Sequence, residues 1–265
     1  SIRPARRRSD RRVVDPTGAS STTNESRLPV ARGVYPWVAY VPAMEFEDVV
    51  STRRSVHEYS DEPIDRDTLD AVFEAATLAP SGYNLQPWEF LALRAPEKKQ
   101  ALREVAFDQE HVTAADTAVV VLGNTDPTAH AEPVFDDWLA KGYIPNEEVR
   151  DALLENVDGI GAQPVDERRI WTTRSTSLAA MTLMYAAWDH GIASCPMEGF
   201  DPEALVETFD VPDGYEPVML VTLGYPAEDA ADVENERKAR RPVDEVVHYD
   251  EFEPVAETPL DEPAE

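Results

Sequence analysis

Four short segments of the chain combine turn-forming residues with groups that bind anions. The first, TRRSVHEYSDEPI, offers the guanidinium groups of Arg53 and Arg54 and the hydroxyl of Ser55, which together suit a phosphate. The fourth, ERKARRP, places Lys238 and Arg240 in the most acidic half of the chain, where a bound anion would explain such a cationic cluster. Each of these two patterns alone is also typical of solvated surface arginines.

The second and third segments are turns that expose backbone N–H groups. APSGYNLQPWEF carries Pro80, Ser81 and Gly82, which predict a turn at the end of a helix. The amides of Asn84 and Gln86 follow, and they could read the polar edge of a ring. SCPMEGFD predicts a second turn, Pro-Met-Glu-Gly, directly after a long buried helix. The alternative for APSGYNLQPWEF is a tight connection between a helix and a strand.

Several other chemistries lack their sequence patterns. The chain contains no GxSxG, HExxH or P-loop motif, which argues against serine hydrolases, zinc proteases and P-loop enzymes. The histidines lie at positions 57, 111, 130, 190 and 248, without the spacing of metal ligands, so we predict no metal site. Cys195 is the one cysteine, which excludes an internal disulfide, and we expect a small buried filler there. DGIGAQ has two glycines but no preceding strand, and it predicts a turn.

The charge of the chain excludes further classes of function. Its 265 residues include 52 Asp and Glu against 24 Lys and Arg, a formal net charge of −28. Because nucleic-acid affinity depends on cations that neutralise phosphates, we expect no nucleic-acid partner. No apolar run approaches the ~18 residues of a membrane span, so we expect no membrane association. The single cysteine favours a cytoplasmic location.

The acidic residues are spread over the chain, which indicates a charged, solvated surface. Such a surface repels itself, and ~1 M salt, with its Debye length of ~3 Å, would relieve the repulsion. We therefore predict a salt-adapted host and a melting midpoint that rises with salt concentration. An ordinary, very soluble acidic protein is the alternative, and a midpoint that does not rise would favour it.

The composition changes along the chain and predicts three parts. Residues 1–32 hold eight Arg against three acidic residues, a net charge of +5, with few apolar residues to offset the entropy of ordering. We predict a disordered, Arg-rich leader over 1–40, a folded domain over 41–248 and an acidic tail over 249–265. The leader is either an arm that touches an anion or an extension without a function.

The folded part alternates helices and short strands. Leu69, Val72 and Ala76 share one face of a helix, and Asp65 is its predicted N-cap. A helix over roughly 167–189 is apolar on more than one face and ends at Gly191, so we predict that it is buried. Other patterns predict strands at 89–94, 117–123 and 217–225 and helices at 96–106 and 147–159. This mixture predicts an α+β fold with a small sheet.

Taken together, the four segments resemble those of the nitroreductase family, whose members depend on flavin mononucleotide (FMN). The RRS opening, the PSxxNxQPW segment, the PxEGFD turn and the late KxRxP element occur in the family's order. The resemblance covers roughly residues 46–248. It implies a three-layer α/β/α sandwich with a small mixed, mainly antiparallel sheet. It also implies a domain-swapped homodimer with FMN at the subunit interface.

The resemblance assigns residues of this chain to three parts of the cofactor. Those that would hold the FMN phosphate are Arg53, Ser55, Lys238 and Arg240, with Arg54 beside them. Those that would line the flavin are Pro80, Ser81 and Gly82, with Gln86 and Ser175 as further polar contacts. Those that would pass beside the isoalloxazine, with a backbone N–H facing N5, are Pro196, Met197, Glu198 and Gly199. Asn84 would approach the cofactor of the partner subunit.

Two histidines stand where relatives often have a cation. His57 would lie at N1 and O2 of the flavin, and His111 aligns more loosely with a second such position. An ordinary imidazole titrates near ~6.5, so the charge there would depend on pH. We expect easier flavin reduction at mildly acid pH, and a lower midpoint potential in His57→Ala. The alternative is a surface histidine in a polar stretch.

The implied activity is that of an FMN-dependent NAD(P)H oxidoreductase. Hydride would pass from NADH or NADPH to flavin N5 and then, in a separate half-reaction, to a flat electron-poor acceptor such as a quinone or a nitroaromatic. FMN carries the chemistry, so no catalytic side chain is assigned. The alternatives are a specialised flavoenzyme, such as a dehalogenase or a dehydrogenase, and a flavin-binding protein without turnover. The 125–165 segment, with Phe135, Trp138 and Tyr143, is the candidate for selecting the acceptor.

Overall fold

The computed structural model describes residues 44–227 and 237–254. Its helices are α1 (Phe46–Thr52), α2 (Arg66–Ala76), α3 (Pro96–Val105), α4 (His111–Ala114), α5 (Ala131–Ala140), α6 (Glu147–Gly161), α7 (Val165–Asp189), α8 (Pro202–Thr208) and α9 (Val243–Val246). Its strands are β1 (Trp88–Leu93), β2 (Thr117–Asn124), β3 (Ala193–Met197) and β4 (Tyr215–Gly224). The predicted leader and residues 255–265 of the predicted tail lie outside the described residues. Within those ranges, no helix has the length and apolar character needed to cross a bilayer.

The four strands form one antiparallel sheet in the order β1–β2–β4–β3. An isolated parallel bridge between Ser55 and Ser194 adds to the edge strand β3. The strands predicted at 89–94, 117–123 and 217–225 are β1, β2 and β4. The predicted α+β fold with a small, mainly antiparallel sheet is therefore confirmed.

β3 corrects the prediction that the chain turns at Pro196. Pro196 and Met197 pair with Val221 and Leu220 of β4, and the turn begins only at Glu198. A proline lacks the N–H that a central strand must donate, but an edge strand tolerates it. The extended backbone therefore carries Cys195, Pro196 and Met197 as strand residues.

Helices cover both faces of the sheet, as a three-layer α/β/α sandwich requires. On one face α2 and α7 pack against the sheet around Val72, Leu183 and Val221. On the other face α3, α4 and α8 surround a second core that contains Leu102 and Leu205. Since both faces are buried, β2 is apolar and buried along almost all of its length.

α7 approaches the sheet unusually closely at Gly123 of β2. A Cβ at Gly123 would lie 2.8 Å from Thr172 Oγ1 and 3.0 Å from Thr176 Oγ1. Both hydroxyls are buried, and neither has a hydrogen-bond partner among the described residues. The helix ends as predicted, because Gly191 takes a φ of +73° directly after the C-cap His190.

α6 corrects the prediction of a turn at DGIGAQ. The helix continues through Gly159 to Gly161, and Ala162 N still donates to Asp158 O at 2.9 Å. Val157 is fully buried in a cluster that joins α5 to α6. Packing against α5 thus holds a segment whose glycines disfavour a helix.

The N-terminus of α2 yields a stability prediction. The Asp65 carboxylate accepts hydrogen bonds from Thr68 N at 2.9 Å and from Thr68 Oγ1 at 2.6 Å, as the predicted N-cap should. These bonds hold the pKa of Asp65 below its ordinary value of 3.8. We expect Asp65→Ala to lower the free energy of unfolding by about 1 kcal/mol at neutral pH in urea titrations.

The pH dependence of that difference follows from the direction of the pKa shift. A depressed carboxyl pKa gives a stabilisation that is present above the unfolded pKa and is lost as the pH falls through the folded pKa. The difference in the free energy of unfolding between the parent and Asp65→Ala should therefore become smaller in acid. Glu74→Ala, on the same helix, is the control and should change little. An Asp65→Ala gap that persists at low pH would contradict the assignment.

Candidate active site

The segment after α1 places residues 53–55 beside the edge of the sheet. On the α1 side, Trp188 Nε1 of α7 donates to Thr52 Oγ1 at 2.9 Å. On the sheet side, Val56 N donates to Ser194 O at 3.1 Å. Anchors on both sides fix the predicted phosphate-binding residues between α7 and β3.

The half-buried side chain of Arg53 carries one buried donor atom without a hydrogen-bond partner among the described residues. Its Nη1 is buried and makes no hydrogen bond within the part of the chain that the structure describes. Burial lowers the pKa of the guanidinium, Tyr185 opposes this, and the charges of Arg237 and Arg240 lower the pKa further. An unpaired buried donor costs about 1–3 kcal/mol. These features fit a bound anion, which would supply the missing acceptor and offset the repulsion among the cations.

The structure brings the first and fourth segments together. Arg237 donates through Nη1 to Ser51 O and through Nη2 to Val50 O, the latter at 3.5 Å. These carbonyls belong to the last turn of α1, where a cation is favourable. Arg237 thus anchors the fourth segment on α1, directly before Arg53. Sequence reasoning missed Arg237, and its only signal was a further cation in ERKARRP.

We call Arg53, Arg237, Lys238 and Arg240 the cationic cluster. Lys238 is exposed beside Arg240, whose Nη1 donates to Lys238 O at 2.9 Å. The predicted Arg54 is half-buried next to Arg53. Arg241 is directed elsewhere, since its Nε lies 3.3 Å from a carboxylate oxygen of the buried Glu245.

A groove of about 290 Å³ lies farther toward the N-terminus of α7. The residues that line it are Pro80, Ser81, Gly82, Trp171, Arg174, Ser175 and Leu178. Four of them, Pro80, Ser81, Gly82 and Ser175, are predicted flavin contacts. Sequence reasoning missed Trp171, Arg174 and Leu178, which give no local motif. We call this feature the α7 groove.

Turn geometry shapes one wall of the α7 groove. Ser81 Oγ accepts a hydrogen bond from Gln86 N at 2.9 Å, and Gln86 Nε2 donates to Asn84 O at 3.2 Å. Asn84 and Gln86 have φ values of 57° and 47°, a left-handed conformation that non-glycine residues rarely adopt. A Cβ at Gly82 would lie 2.9 Å from Trp171 Nε1. The segment forms the predicted turn, and it is also a tight connection between α2 and β1. The two interpretations drawn from the sequence therefore do not exclude each other.

The cationic cluster and the α7 groove are well separated within one chain. Ser175 lines the groove, whereas Tyr185, ten residues later on α7, interacts electrostatically with Arg53. At the helical rise, ten residues span about 15 Å. Among the described residues, no hydrogen bond or ring contact joins the two features. The predicted cofactor residues therefore form two half-sites.

The third segment forms the turn that follows β3. Gly199 O accepts a hydrogen bond from Gln109 Nε2 at 2.7 Å, and a Cβ at Gly199 would lie 3.3 Å from the same nitrogen. Asp201 N donates to Val105 O at 2.8 Å. Glu198 is exposed at the tip of the turn. Sequence reasoning missed Gln109, which holds the turn against the α3–α4 connection.

His57 and His111 lie together, although sequence reasoning aligned His111 only loosely. Their rings pack edge to face with centroids 5.1 Å apart. His57 Nε2 lies 3.5 Å from Cys195 Sγ, and His111 Nε2 lies 2.7 Å from Met197 Sδ. Burial lowers the pKa of His111, and the charge of His57 lowers it further. His111 should therefore be neutral at neutral pH.

The segment suggested for acceptor selection divides into buried and exposed residues. Phe135 is fully buried, and the ring of Trp138 packs on it with a centroid distance of 5.3 Å. Tyr143 is 77% exposed. Phe135 is therefore core, and only Trp138 and Tyr143 remain candidates for contact with a substrate.

Comparison with known proteins identifies the family of the chain. The family model described as "Nitroreductase family" matches residues 50–225. The chain belongs to the nitroreductase family. One relative, "Putative NAD(P)H nitroreductase YodC" of Bacillus subtilis, is 35% identical over 67% of this chain and 87% of its own length. An "NADH dehydrogenase" of Thermus thermophilus is 32% identical over 72% of this chain and 91% of its own.

Solved structures of nitroreductases share the fold. A structure from Exiguobacterium sibiricum, in complex with FMN, superposes with a TM-score of 0.69 at 30% identity. The match covers 78% of this chain and 98% of that one. The three-layer architecture of this nitroreductase is thus shared over nearly the whole length of the compared chain.

Proposed function

We propose that this nitroreductase is an FMN-dependent oxidoreductase that passes hydride from NADH or NADPH to a flat, electron-poor acceptor such as a quinone or a nitroaromatic. The single observation that carries the proposal is the buried, unpaired Nη1 of Arg53 within the cationic cluster. A phosphate monoester would satisfy that donor and neutralise the cluster. The names of the Bacillus and Thermus relatives give NAD(P)H or NADH as the source of hydride for those proteins.

The residues of the chain fit FMN at both of its ends. The cationic cluster and the Ser55 hydroxyl would bind the phosphate. Ser81, Gly82 and Ser175 of the α7 groove would flank the ring, with the indole of Trp171 behind Gly82. The turn at Glu198 and Gly199 would supply backbone N–H groups, and Gln109 holds it in place.

FMN, when bound, supplies a ring that accepts and donates hydride. The chain contributes position, charge and exclusion of water. Its donors fix the phosphate, the turn after β3 orients the ring edge, and the apolar groove residue Leu178 limits access of water. No side chain in the two half-sites has to act as a nucleophile or as a general base, which agrees with the lack of such motifs in the sequence.

We further propose that the enzyme is a cytoplasmic homodimer. The two half-sites lie about 15 Å apart along α7. A cofactor whose phosphate is bound by the cationic cluster therefore needs other residues to cover its ring, and a second copy of the chain can supply them. Leu178 of the groove is 48% exposed, and two apolar residues close in sequence to groove residues, Ile170 and Leu78, are 54% and 83% exposed. A partner copy that covers them would bring its groove to this chain's cationic cluster. Asn84 would then face the partner's cofactor.

The test combines cofactor content with two half-reactions. Full-length protein purified in concentrated salt should carry one FMN per chain and be yellow. Under anaerobic conditions NADH or NADPH should bleach the flavin, and a quinone or a nitroaromatic added afterwards should restore it. Steady-state rates with both substrates varied should give parallel double-reciprocal lines, as alternating half-reactions require. A colourless protein that ignores added FMN would overturn the proposal.

The same experiment separates the alternatives. Flavin that binds but is never bleached indicates a binding protein without turnover. Flavin that is bleached but is reoxidised only by a halogenated aromatic or by an enone indicates a specialised family member. A solved relative with 25% identity and a TM-score of 0.67 is described as an enone reductase, so enones belong in the acceptor screen.

His57 gives a further prediction for the loaded enzyme. If the His57 ring lies at the ring edge that becomes anionic on reduction, its loss removes a stabilising donor. We expect His57→Ala to lower the midpoint potential of the bound flavin in spectroelectrochemical titrations. His130→Ala, at an exposed position on α5's N-terminal side, is the control and should leave the potential unchanged. Equal potentials in parent and His57→Ala would remove His57 from the site.

A further inference from the structure

Three side chains that are distant in sequence meet beside the edge strand β3. His57, His111 and Cys195 each offer one donor atom, and these atoms all lie within 4.8 Å of one another. Elsewhere in residues 44–227 and 237–254, no comparable group of His, Cys, Asp or Glu offers donor atoms for a metal ion. The spacing of these residues along the chain gave no sign of the group.

The distances suit a tetrahedral metal centre. Metal–sulfur bonds of about 2.3 Å and metal–nitrogen bonds of about 2.0–2.1 Å place the two ligand atoms about 3.5 Å apart at a tetrahedral angle. His57 Nε2 lies 3.5 Å from Cys195 Sγ. The remaining separations, up to 4.8 Å, need to close by as much as about 1.5 Å to reach tetrahedral distances, and rotation of the His111 ring is the movement available for this.

A second sulfur lies at the same place. Residues two apart on a strand face the same side, so β3 presents Cys195 and Met197 together. Both are buried, at 4% and 7% exposure, and Met197 Sδ lies 2.7 Å from His111 Nε2. Because β3 is hydrogen-bonded to β4 along its length, the two sulfur-bearing residues stand on a rigid element.

The donor set selects a class of metal. Thiolate and thioether sulfur with imidazole nitrogen favours Cu⁺ and Zn²⁺, whereas Mg²⁺ and Ca²⁺ require oxygen ligands. Hydrogen bonds from the imidazoles to sulfur are the alternative reading of these contacts. Sulfur is a weak acceptor, however, so such bonds return little of the cost of half-burying His111.

We propose that His57, His111 and Cys195 bind one thiophilic d¹⁰ metal ion, Cu⁺ or Zn²⁺, with Met197 as a weak fourth donor for Cu⁺. On binding, the Cys195 thiol loses its proton to solvent, and no electron is transferred. The site goes beyond the proposed flavin reaction and replaces the prediction, drawn from histidine spacing, that the chain holds no metal.

The test is metal binding by the full-length, untagged, FMN-loaded protein. Zn²⁺ alone and Cu⁺ alone, the latter under anaerobic conditions, are each dialysed against the protein with a competing chelator, and bound metal per chain is measured. We expect one ion per chain for the preferred metal. Cys195→Ser and His111→Gln should each weaken binding by at least about 100-fold, more than the loss of an outer-sphere partner. His130→Gln should bind as the parent does.

Two further measurements distinguish Cu⁺ from Zn²⁺, and the metal site from the proposed flavin reaction. Met197→Leu should weaken Cu⁺ binding and leave Zn²⁺ binding unchanged. Substitution with Co²⁺ should give the visible bands of a tetrahedral thiolate site at wavelengths beyond the flavin absorption, and Cys195→Ser should abolish them. Flavin content is measured on the same samples, so a parent protein that carries flavin but binds neither metal overturns this site alone and leaves the proposed function standing. Binding of neither ion, or equal affinity in parent and Cys195→Ser, overturns the proposal.

Discussion

Arg53→Met should weaken FMN binding by about 10- to 100-fold, because hydrogen bonds to a charged group contribute about 1.5–3 kcal/mol. The buried Nη1 has no partner within the described residues, and the charges of Arg237 and Arg240 act on the same group. Fluorescence titration of the flavin-free protein with FMN measures the effect. Riboflavin, which lacks the phosphate, should bind parent and variant almost equally.

The difference in stability between Arg53→Met and the parent should change sign when FMN is added. Without FMN, the unpaired buried Nη1 is a cost to the folded state, so Arg53→Met should melt at or above the midpoint of the parent. With FMN in excess, the parent should gain more stability than the variant, because ligand binding stabilises in proportion to affinity.

The control for Arg53→Met is Arg66→Met. Arg66 forms an exposed ion pair with Asp70 at 2.8 Å on α2, and such pairs contribute little. It should leave FMN affinity unchanged. An Arg53→Met protein that keeps the parent's affinity for FMN would show that the phosphate is bound elsewhere.

Leu178→Glu should separate the proposed dimer into monomers that have lost their flavin. Leu178 lines the α7 groove and is 48% exposed in the single chain. If a partner covers it, the new carboxylate loses its water, and the neighbouring Arg174 of the groove offsets only part of that cost. We expect the dimer dissociation constant to rise by more than about 10-fold. Sedimentation at several concentrations measures the oligomer, and absorbance measures the flavin in each species.

Tyr143→Glu is the matched control for the dimer, because Tyr143 is 77% exposed, lies between α5 and α6 and does not line the groove. It should remain a dimer. Flavin that stays bound to monomeric Leu178→Glu would contradict the two-chain site, whereas a dimer that persists in Leu178→Glu would place the interface on another surface.

Local patterns made most of the fold predictable. The apolar face of α2 and its Asp65 cap, the run of apolar residues in β2 and the Gly191 stop of α7 each depend on neighbours within a few positions. The predictions fail where a distant contact decides. α6 keeps its helical form through Gly161 because it packs on α5, and Pro196 lies in a strand because that strand is at the edge of the sheet.

The sequence predicted the segments that form the candidate site, but it did not predict the contacts between these segments. RRS and KxRxP each indicate an anion, yet only the fold shows that Arg237 lies on α1 and that Arg53 Nη1 has no hydrogen-bond partner among the described residues. The contact between His57 and Cys195 joins residues 138 positions apart, which no spacing rule detects. The roles of all these residues in cofactor binding stay predictions, including those of Lys238, Glu198 and Asn84.

The lack of a side chain at Gly123 fixes the position of α7 along β2. With two threonines seated on β2 where a side chain would otherwise intervene, the helix cannot slide across the strand without a clash or a gap. Adding one residue between positions 176 and 185 would turn everything beyond it by about 100° and shift it by about 1.5 Å. We therefore expect such an insertion to displace Arg53's neighbour Tyr185 relative to the α7 groove, and to weaken FMN binding even though neither site loses a residue.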